Sequence, residues 1–265
     1  FDISTSSEFS SLALQTFRHQ YQNNKTYHEF CKLLGKSESL VVKIEDIPFL
    51  PIEFFKSKKI ITGTGEPKIL FASSGTTGSQ TSTHHVLDIS AYEISFRTTF
   101  EIFYGPIADY CILALLPSYL EREGSSLIYM VEDLIGQSNH PGSGFYLHDT
   151  NGLRKKLEEL ENIGSKTLLI GVSFALLDMT EQHPISLKNT IVMETGGMKG
   201  RRKEMIRDEL HAILKKGFGV DSIHSEYGMT ELLSQAYSKG NGIFQTPPWM
   251  KILIRDTEDP LTLQK

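Results

Sequence analysis

Cysteine is scarce in this chain: Cys31 and Cys111 are its only two among 265 residues. They lie far apart with no Cys-x-x-Cys spacing, which excludes a disulfide framework or thiolate metal module and suits a reducing cytoplasm. Long apolar runs are missing too. The longest, LLIGVSFALL at residues 168–177, is about half of what a helix needs to cross a bilayer, so no membrane span is expected. Positive charge is not in excess. With 27 basic against 32 acidic residues and a net charge of −5, no global field favours nucleic acid as a partner. Hydrolase signatures are absent as well: no Gly-x-Ser-x-Gly elbow and no His-Glu-x-x-His pair occurs, which removes serine-hydrolase and zincin chemistry. The opening residues FDISTSSEFS have no basic stretch followed by an apolar core, so they do not read as a secretory signal.

What remains is an ordinary globular composition, 39% apolar, enough for one large or two small α/β domains. Phe9, Leu12, Ala13, Phe17 and Tyr21, then Phe30, Leu33 and Leu34, recur at helical spacing, with Ser6 or Ser7 as N-cap and Gly35 as stop. Pro48 and Pro51 then force extended chain. Residues 1–60 are therefore expected to form a helical arm. From residue 68 the pattern changes to strands alternating with helices: KILFA, then a helix starting at Ser90; Tyr110–Leu116, buried on both faces; a charged helix at 153–164, then KTLLIGVS; and NTIVMETGG, then a helix over RRKEMIRDELHAILKKGFG. Met205, Ile206, Leu210, Ile213 and Leu214 mark the apolar face of that last helix. The alternation predicts an α/β fold with a mainly parallel sheet flanked by helices, occupying residues 61–265.

The run KILFASSGTTGSQTST packs four hydroxyls and two glycines into Ser73, Ser74, Gly75, Thr76, Thr77 and Gly78 at a strand end. Such a loop reads as a solvated turn or as a phosphate cradle, since glycines let backbone N–H groups point inward while hydroxyls add donors. Two more glycine-bearing turns follow predicted strands, Gly196-Gly197 in METGGMKG and the segment SEYGMTELLSQ. In an open α/β sheet ligands sit beyond the carboxyl ends of the strands, so these turns could share one crevice. Within that last segment Tyr227 supplies a flat ring for a base, Thr230 a hydroxyl for a phosphate and Glu231 a hard oxygen for Mg²⁺. Taken singly, Tyr227 also reads as a half-buried packing residue and Glu231 as a first-turn helix acid. Lys199, Arg201, Arg202 and Lys203 read as a solvated helix start, and His84 and His85, adjacent on a strand, point to opposite faces.

SSGTTG followed far downstream by YGMTE resembles the adenylate-forming superfamily of acyl-CoA synthetases, firefly luciferase and peptide-synthetase adenylation domains. The wording LLPSYLEREGSSL and ETGGMKGRR is most similar to the acyl-protein synthetases of the bacterial luminescence fatty acid reductase complex, over roughly residues 40–256. The resemblance implies the large N-terminal-type domain of these enzymes and ATP-dependent activation of a carboxylic acid, a fatty acid, as an acyl adenylate. Transfer to a thiol of a reductase or carrier protein would follow. It implies that Ser73, Ser74, Gly75, Thr76, Thr77 and Gly78 embrace the pyrophosphate portion of ATP and that Gly196 and Gly197 border the adenine. Tyr227, Gly228, Met229 and Thr230 would contact the nucleotide, with Tyr227 stacked on the base and Thr230 at the α-phosphate. Glu231 would hold Mg²⁺, and Tyr119 with the 170–175 turn would line the acyl site.

Departures accompany the match. Gly78 is followed by Ser79, Gln80 and Thr81 where the superfamily has Pro and Lys, so one phosphate-facing cation is missing. The family's ribose-binding Asp, catalytic Lys and acceptor cysteine normally lie further on than Lys265, so the small C-terminal domain is expected to be largely absent here. Cys111 in DYCILALL and Cys31 in HEFCKLLG both read as buried, so a stable thioester on this chain is not expected. A CoA ligase of the phenylacetate type and a non-catalytic nucleotide-binding subunit remain the alternatives.

Overall fold

The structure is a computed structural model that describes residues 1–73, 80–117, 123–182, 184–196, 202–203, 205–259 and 262–264. The chain divides into two compact units, Phe1–Ala91 with Thr246–Lys265, and Tyr92–Gln245. The division expected at residue 60 from the sequence pattern falls inside the first of them.

In the first unit, helix α1 (Ser6–Asn23) is capped by Thr5, ahead of both Ser6 and Ser7. The reason is a capping box: Thr5 Oγ1 accepts from Glu8 N at 3.2 Å while the Glu8 carboxylate accepts from Thr5 N at 2.9 Å, satisfying two orphan donors at once. The helical run then breaks at Asn24, whose side chain accepts from Tyr27 N at 3.0 Å and caps α2 (Lys25–Leu33). Gly35 follows in the left-handed region, φ 65°, where a side chain would be strained. Phe17, Tyr27, Cys31 and Val41 form the core of this helical layer, and Tyr27 Oη donates to Pro48 O at 2.7 Å. After a short helix α3 (Phe54–Ser57), strand β1 (Ile69–Ala72) pairs antiparallel with β2 (Thr83–Val86). KILFA is thus half of a two-stranded ribbon, not a member of the parallel sheet. A parallel neighbour needs a crossover of about a dozen residues or more, whereas a short return can only pair antiparallel.

The second unit carries the parallel sheet. Helix α4 (Ser90–Tyr104) leads to β3 (Cys111–Leu115), α5 (Ser126–Ser138), β4 (Gly144–Phe145), α6 (Thr150–Asn162), β5 (Thr167–Gly171) and α7 (Ser173–Gln182). Then come β6 (Thr190–Glu194), α8 (Arg207–Phe218), β7 (His224–Tyr227), β8 (Ala236–Ser238) and β9 (Phe244–Gln245). The order across the sheet is β4-β3-β5-β6-β7-β8-β9, with the first five strands parallel and the last two antiparallel. Every residue of β3 and β5 is buried, the signature of strands covered on both faces. Each Leu or Ile so buried contributes about 1.5–3 kcal/mol. Glu161 in α6 accepts from Lys188 N at 2.9 Å and Thr190 Oγ1 at 2.7 Å, which pins the start of β6.

Helix α8 begins later than its apolar periodicity suggested. Ile206 is its N-cap and is 72% exposed, and the buried face is Leu210, Leu214 and Phe218. Asp208 and Glu209 in the first turn and Lys215 and Lys216 in the last match the helix dipole. Arg202, expected at a solvated helix start, instead donates to Asp178 Oδ1 at 2.9 Å and Glu181 Oε1 at 2.7 Å of α7. Among the described residues no helix is long and apolar enough to cross a membrane.

Candidate functional site

The carboxyl ends of β6 and β7 lie side by side, with Glu194 in register with Ser225. Glu194 ends an apolar strand and is 3% exposed. One of its oxygens accepts from Gly196 N at 2.6 Å and from Ser173 Oγ at 3.4 Å. The other faces His211 Nε2 at 3.5 Å and Arg207 Nε at 3.8 Å, both from α8. Burial alone would raise this acid, but the adjacent His211 and Ser225 side chains and the Gly196 N–H outweigh it and hold Glu194 below its ordinary value. The carboxylate also shapes the glycine turn: Gly196 bends around it at φ 73°, a conformation glycine adopts without strain, and Gly196 O accepts from Ser173 N at 3.4 Å.

On the adjacent strand Glu226 is also buried, yet among the described residues no cation or hydrogen-bond donor meets it. Burial first, then the Glu194 charge, push its acid up to about 8. A Cβ on Gly228 would lie 2.6 Å from Glu226 Oε1 and 3.7 Å from Gln235 Nε2, so the missing side chain is what makes room for the carboxyl. Gln235 donates to Tyr92 Oη at 2.9 Å, and Tyr92 Oη donates to Ser126 O at 3.1 Å. Gln235 Oε1 is buried with no hydrogen-bond partner among the described residues.

Tyr227, next along β7, is 40% exposed. Its hydroxyl donates to Met229 Sδ at 3.1 Å, and its ring meets Phe244 edge-on at 6.1 Å, while Arg207 sits 5.0 Å above the other aromatic, Phe244. Tyr227 thus stands propped with part of its surface open, not packed away. Gly228 is exposed, and Met229, Thr230 and Glu231 are partly exposed. Leu232 N donates to Met229 O at 3.1 Å, so Thr230 and Glu231 occupy a turn and not the first turn of a helix. The alternative reading of Glu231 as a helix-dipole acid therefore does not apply.

Gly196 and the Tyr227–Glu231 segment are accordingly brought together at neighbouring strand ends of one unit. Ser73 belongs to the other unit, where its N–H donates to Ser82 O at 3.0 Å and its Oγ accepts from Ser82 N at 2.9 Å. Ser74, Gly75, Thr76, Thr77 and Gly78, together with Gly197 and Tyr119, lie outside the described residues. No group of three or more potential metal ligands occurs among those described. Both cysteines are buried and unpaired, and burial raises each thiol above its ordinary value. Sequence reasoning missed Glu194, Glu226, Gln235, Arg207 and His211. A carboxylate closing the apolar run TIVME was the one local signal for any of them.

A solved 2-hydroxyisobutyryl-CoA ligase, in an open conformation in complex with 2-HIB-AMP and CoA, superposes with a TM-score of 0.62 at 9% identity over 98% of this chain and 64% of that one. The same ligase in its postadenylation state with 2-HIB-AMP gives 0.62 at 10% identity over 97% and 56%. The chain has the fold of an adenylate-forming ligase. Residues 4–264 match the family described as acyl-protein synthetase, LuxE, and the chain belongs to that family. The resemblance read from its motifs therefore holds. It is 39% identical over 70 residues to the long-chain-fatty-acid–luciferin-component ligase of Vibrio harveyi, covering 26% of this chain and 18% of that protein. With the protein of the same name from Photorhabdus luminescens it is 35% identical over 68 residues, covering 25% and 58%. The matched part spans less than two thirds of either relative.

Proposed function

We propose that the chain activates a carboxylic acid, a fatty acid, with ATP as an acyl adenylate, for transfer to a thiol of a partner protein or carrier. The observation that carries this is the propped, part-open Tyr227 ring beside the Gly196 turn, at adjacent carboxyl ends of a parallel sheet, where open α/β folds bind nucleotides. In this reading residues 61–265 are the nucleotide-binding part and 1–60 a helical arm. Tyr227 stacks on the adenine, bordered by Gly196 and Gly197; Gly228, Met229 and Thr230 run along the α-phosphate; Ser73 to Gly78 hold the departing pyrophosphate. Glu231, a partly exposed lone carboxylate, suits Mg²⁺, which binds through one or two carboxylates plus phosphate oxygens and water; the ion would neutralise phosphate charge. The acid's carboxylate oxygen attacks the α-phosphorus, a P–O bond to the β-phosphate breaks, and pyrophosphate leaves. Positioning and charge neutralisation suffice for this step. Two buried free thiols fit a cytoplasmic setting.

Mass spectrometry after incubation with Mg-ATP and a panel of carboxylic acids tests the reading, and an acyl adenylate is the expected product. Glu231→Gln is expected to weaken Mg-ATP far more than metal-free ATP. Equal losses in both titrations would remove the metal role. Adding CoA or a carrier protein as acceptor separates a CoA ligase from a protein-acylating one.

A further inference from the structure

The base of the β7–β8 connection carries a polar group that the adenylation reading does not use. Tyr227 pairs with Ala236 and Glu226 with Tyr237, so residues 228–235 form the loop that this antiparallel pair closes. Side chains two apart on a strand share a face, which places His224, Glu226 and the Gly228 position together, with Tyr237 opposite Glu226. We propose that Glu226 is a positioning residue that keeps its proton and, by donating it to the orphan amide oxygen of Gln235, clasps the two ends of the loop bearing Tyr227, Thr230 and Glu231.

Three observations converge on this. Glu226 is buried with no cation among the described residues, Gln235 Oε1 is a buried acceptor lacking a donor, and both side chains flank the space left open by Gly228. A neutral carboxylic acid has the one O–H that this acceptor lacks. The surrounding groups favour the neutral form. Tyr92 faces the acid from α4 and Tyr237 from β8, both phenols pushed up by burial. Both Tyr92 and Tyr237 feel the Glu226 charge next after burial. His224 is pushed down to about 4 by burial, then by Lys239, so it brings no positive charge. Glu194 on β6 adds a negative one. Gln235 is in turn fixed through Tyr92 to Ser126 at the start of α5, so the clasp anchors the loop to the body of the sheet. Removing the proton leaves a buried anion with no cation beside it among the described residues and the Glu194 charge on the neighbouring strand, and opening the loop to water is the relief available to it.

Amide hydrogen exchange and thermal unfolding across pH, without nucleotide, test the clasp whether or not the loop binds ATP; only its consequence, an alkaline loss of nucleotide affinity, rests on the adenylation reading. Wild-type protection at residues 228–235, corrected for intrinsic exchange, is expected to fall by up to about tenfold per pH unit between the ordinary carboxylate value and about 8 and to level off above it, and Glu226→Gln is expected to keep protection flat. Because the folded acid titrates higher than the unfolded one, wild type loses stability relative to Glu226→Gln as pH rises from the ordinary carboxylate value towards about 8. Identical pH profiles for wild type and Glu226→Gln would overturn the proposal. Should the variant fail to fold, carbon-13 labelling of glutamate side chains in the wild type decides: one carboxyl titrating above about pH 7 is expected, and none doing so overturns it.

Discussion

The ends of β6 and β7 present two buried glutamates on neighbouring strands, and their environments drive them to opposite charge states. Glu194 is ringed by a backbone N–H, a serine hydroxyl, a histidine and an arginine, and it stays an anion. Glu226, one strand over, has phenols and an amide around it and stays an acid. Burial raises both acids; what differs is the supply of donors, and donors decide the sign of the shift. The two strand ends therefore do different jobs. Glu194 bends the Gly196 turn around a fixed negative charge, while Glu226 fills the space under Gly228.

The sharpest way to break the comparison is to truncate each acid. Glu194→Ala strands His211, Arg207, Ser173 and the Gly196 N–H, and about 3–5 kcal/mol of stability should be lost in urea unfolding near neutral pH. Glu226→Gln keeps the shape and the neutral state, so it should cost under about 1 kcal/mol in the same measurement. Comparable losses from the two would mean that Glu226 is also an ion-paired group. The next test crowds the second strand end. Gly228→Ala drives a methyl onto the Glu226 carboxyl and should cost about 1–3 kcal/mol. Combined with Glu226→Ala it should cost less than the sum of the two single changes, since a smaller residue 226 clears the clash.

A pH series sharpens the contrast further. Glu194 is held below its unfolded value, so its contribution is present above the ordinary carboxylate range and is lost as pH falls through the folded value. Glu226 acts in the opposite sense, losing stability as pH rises, at up to about 1.4 kcal/mol per pH unit. Glu194→Gln should therefore flatten the acid limb of the stability curve and Glu226→Gln the neutral-to-alkaline limb. One variant flattening both limbs would show that the pair titrates as a unit. The smallest effect on folding is expected at Tyr227, which is open to solvent. Tyr227→Leu should shift stability by no more than about 0.5 kcal/mol while weakening ATP binding about five- to tenfold, as loss of a stacked ring predicts. Unchanged affinity in an isothermal titration would remove Tyr227 from the nucleotide site.

The sequence by itself determined the elements whose signals are local. Periodicity marked α1, α4 and α6, unbroken apolar runs marked β3 and β5, and the glycine–hydroxyl motifs sufficed to recognise the family. Boundaries slipped where a side chain outvoted periodicity. Thr5 and Glu8 closed a capping box ahead of the serines, Asn24 capped a second helix, and Ile206 became an exposed N-cap. β1 joined an antiparallel ribbon because its partner follows closely along the chain, a fact of chain geometry that hydrophobicity does not encode. The site was legible only in its exposed half. Tyr227, Thr230 and Glu231 sit together in one short segment, so their chemistry could be read in line. Glu194 with His211 and Arg207, or Glu226 with Gln235 and Tyr92, lie on different elements or at opposite ends of a loop, and each looks like an ordinary polar residue until the sheet brings its partners to it. Which of two buried carboxyls keeps its charge is set by donors arriving from other elements, and only the tertiary structure decided that.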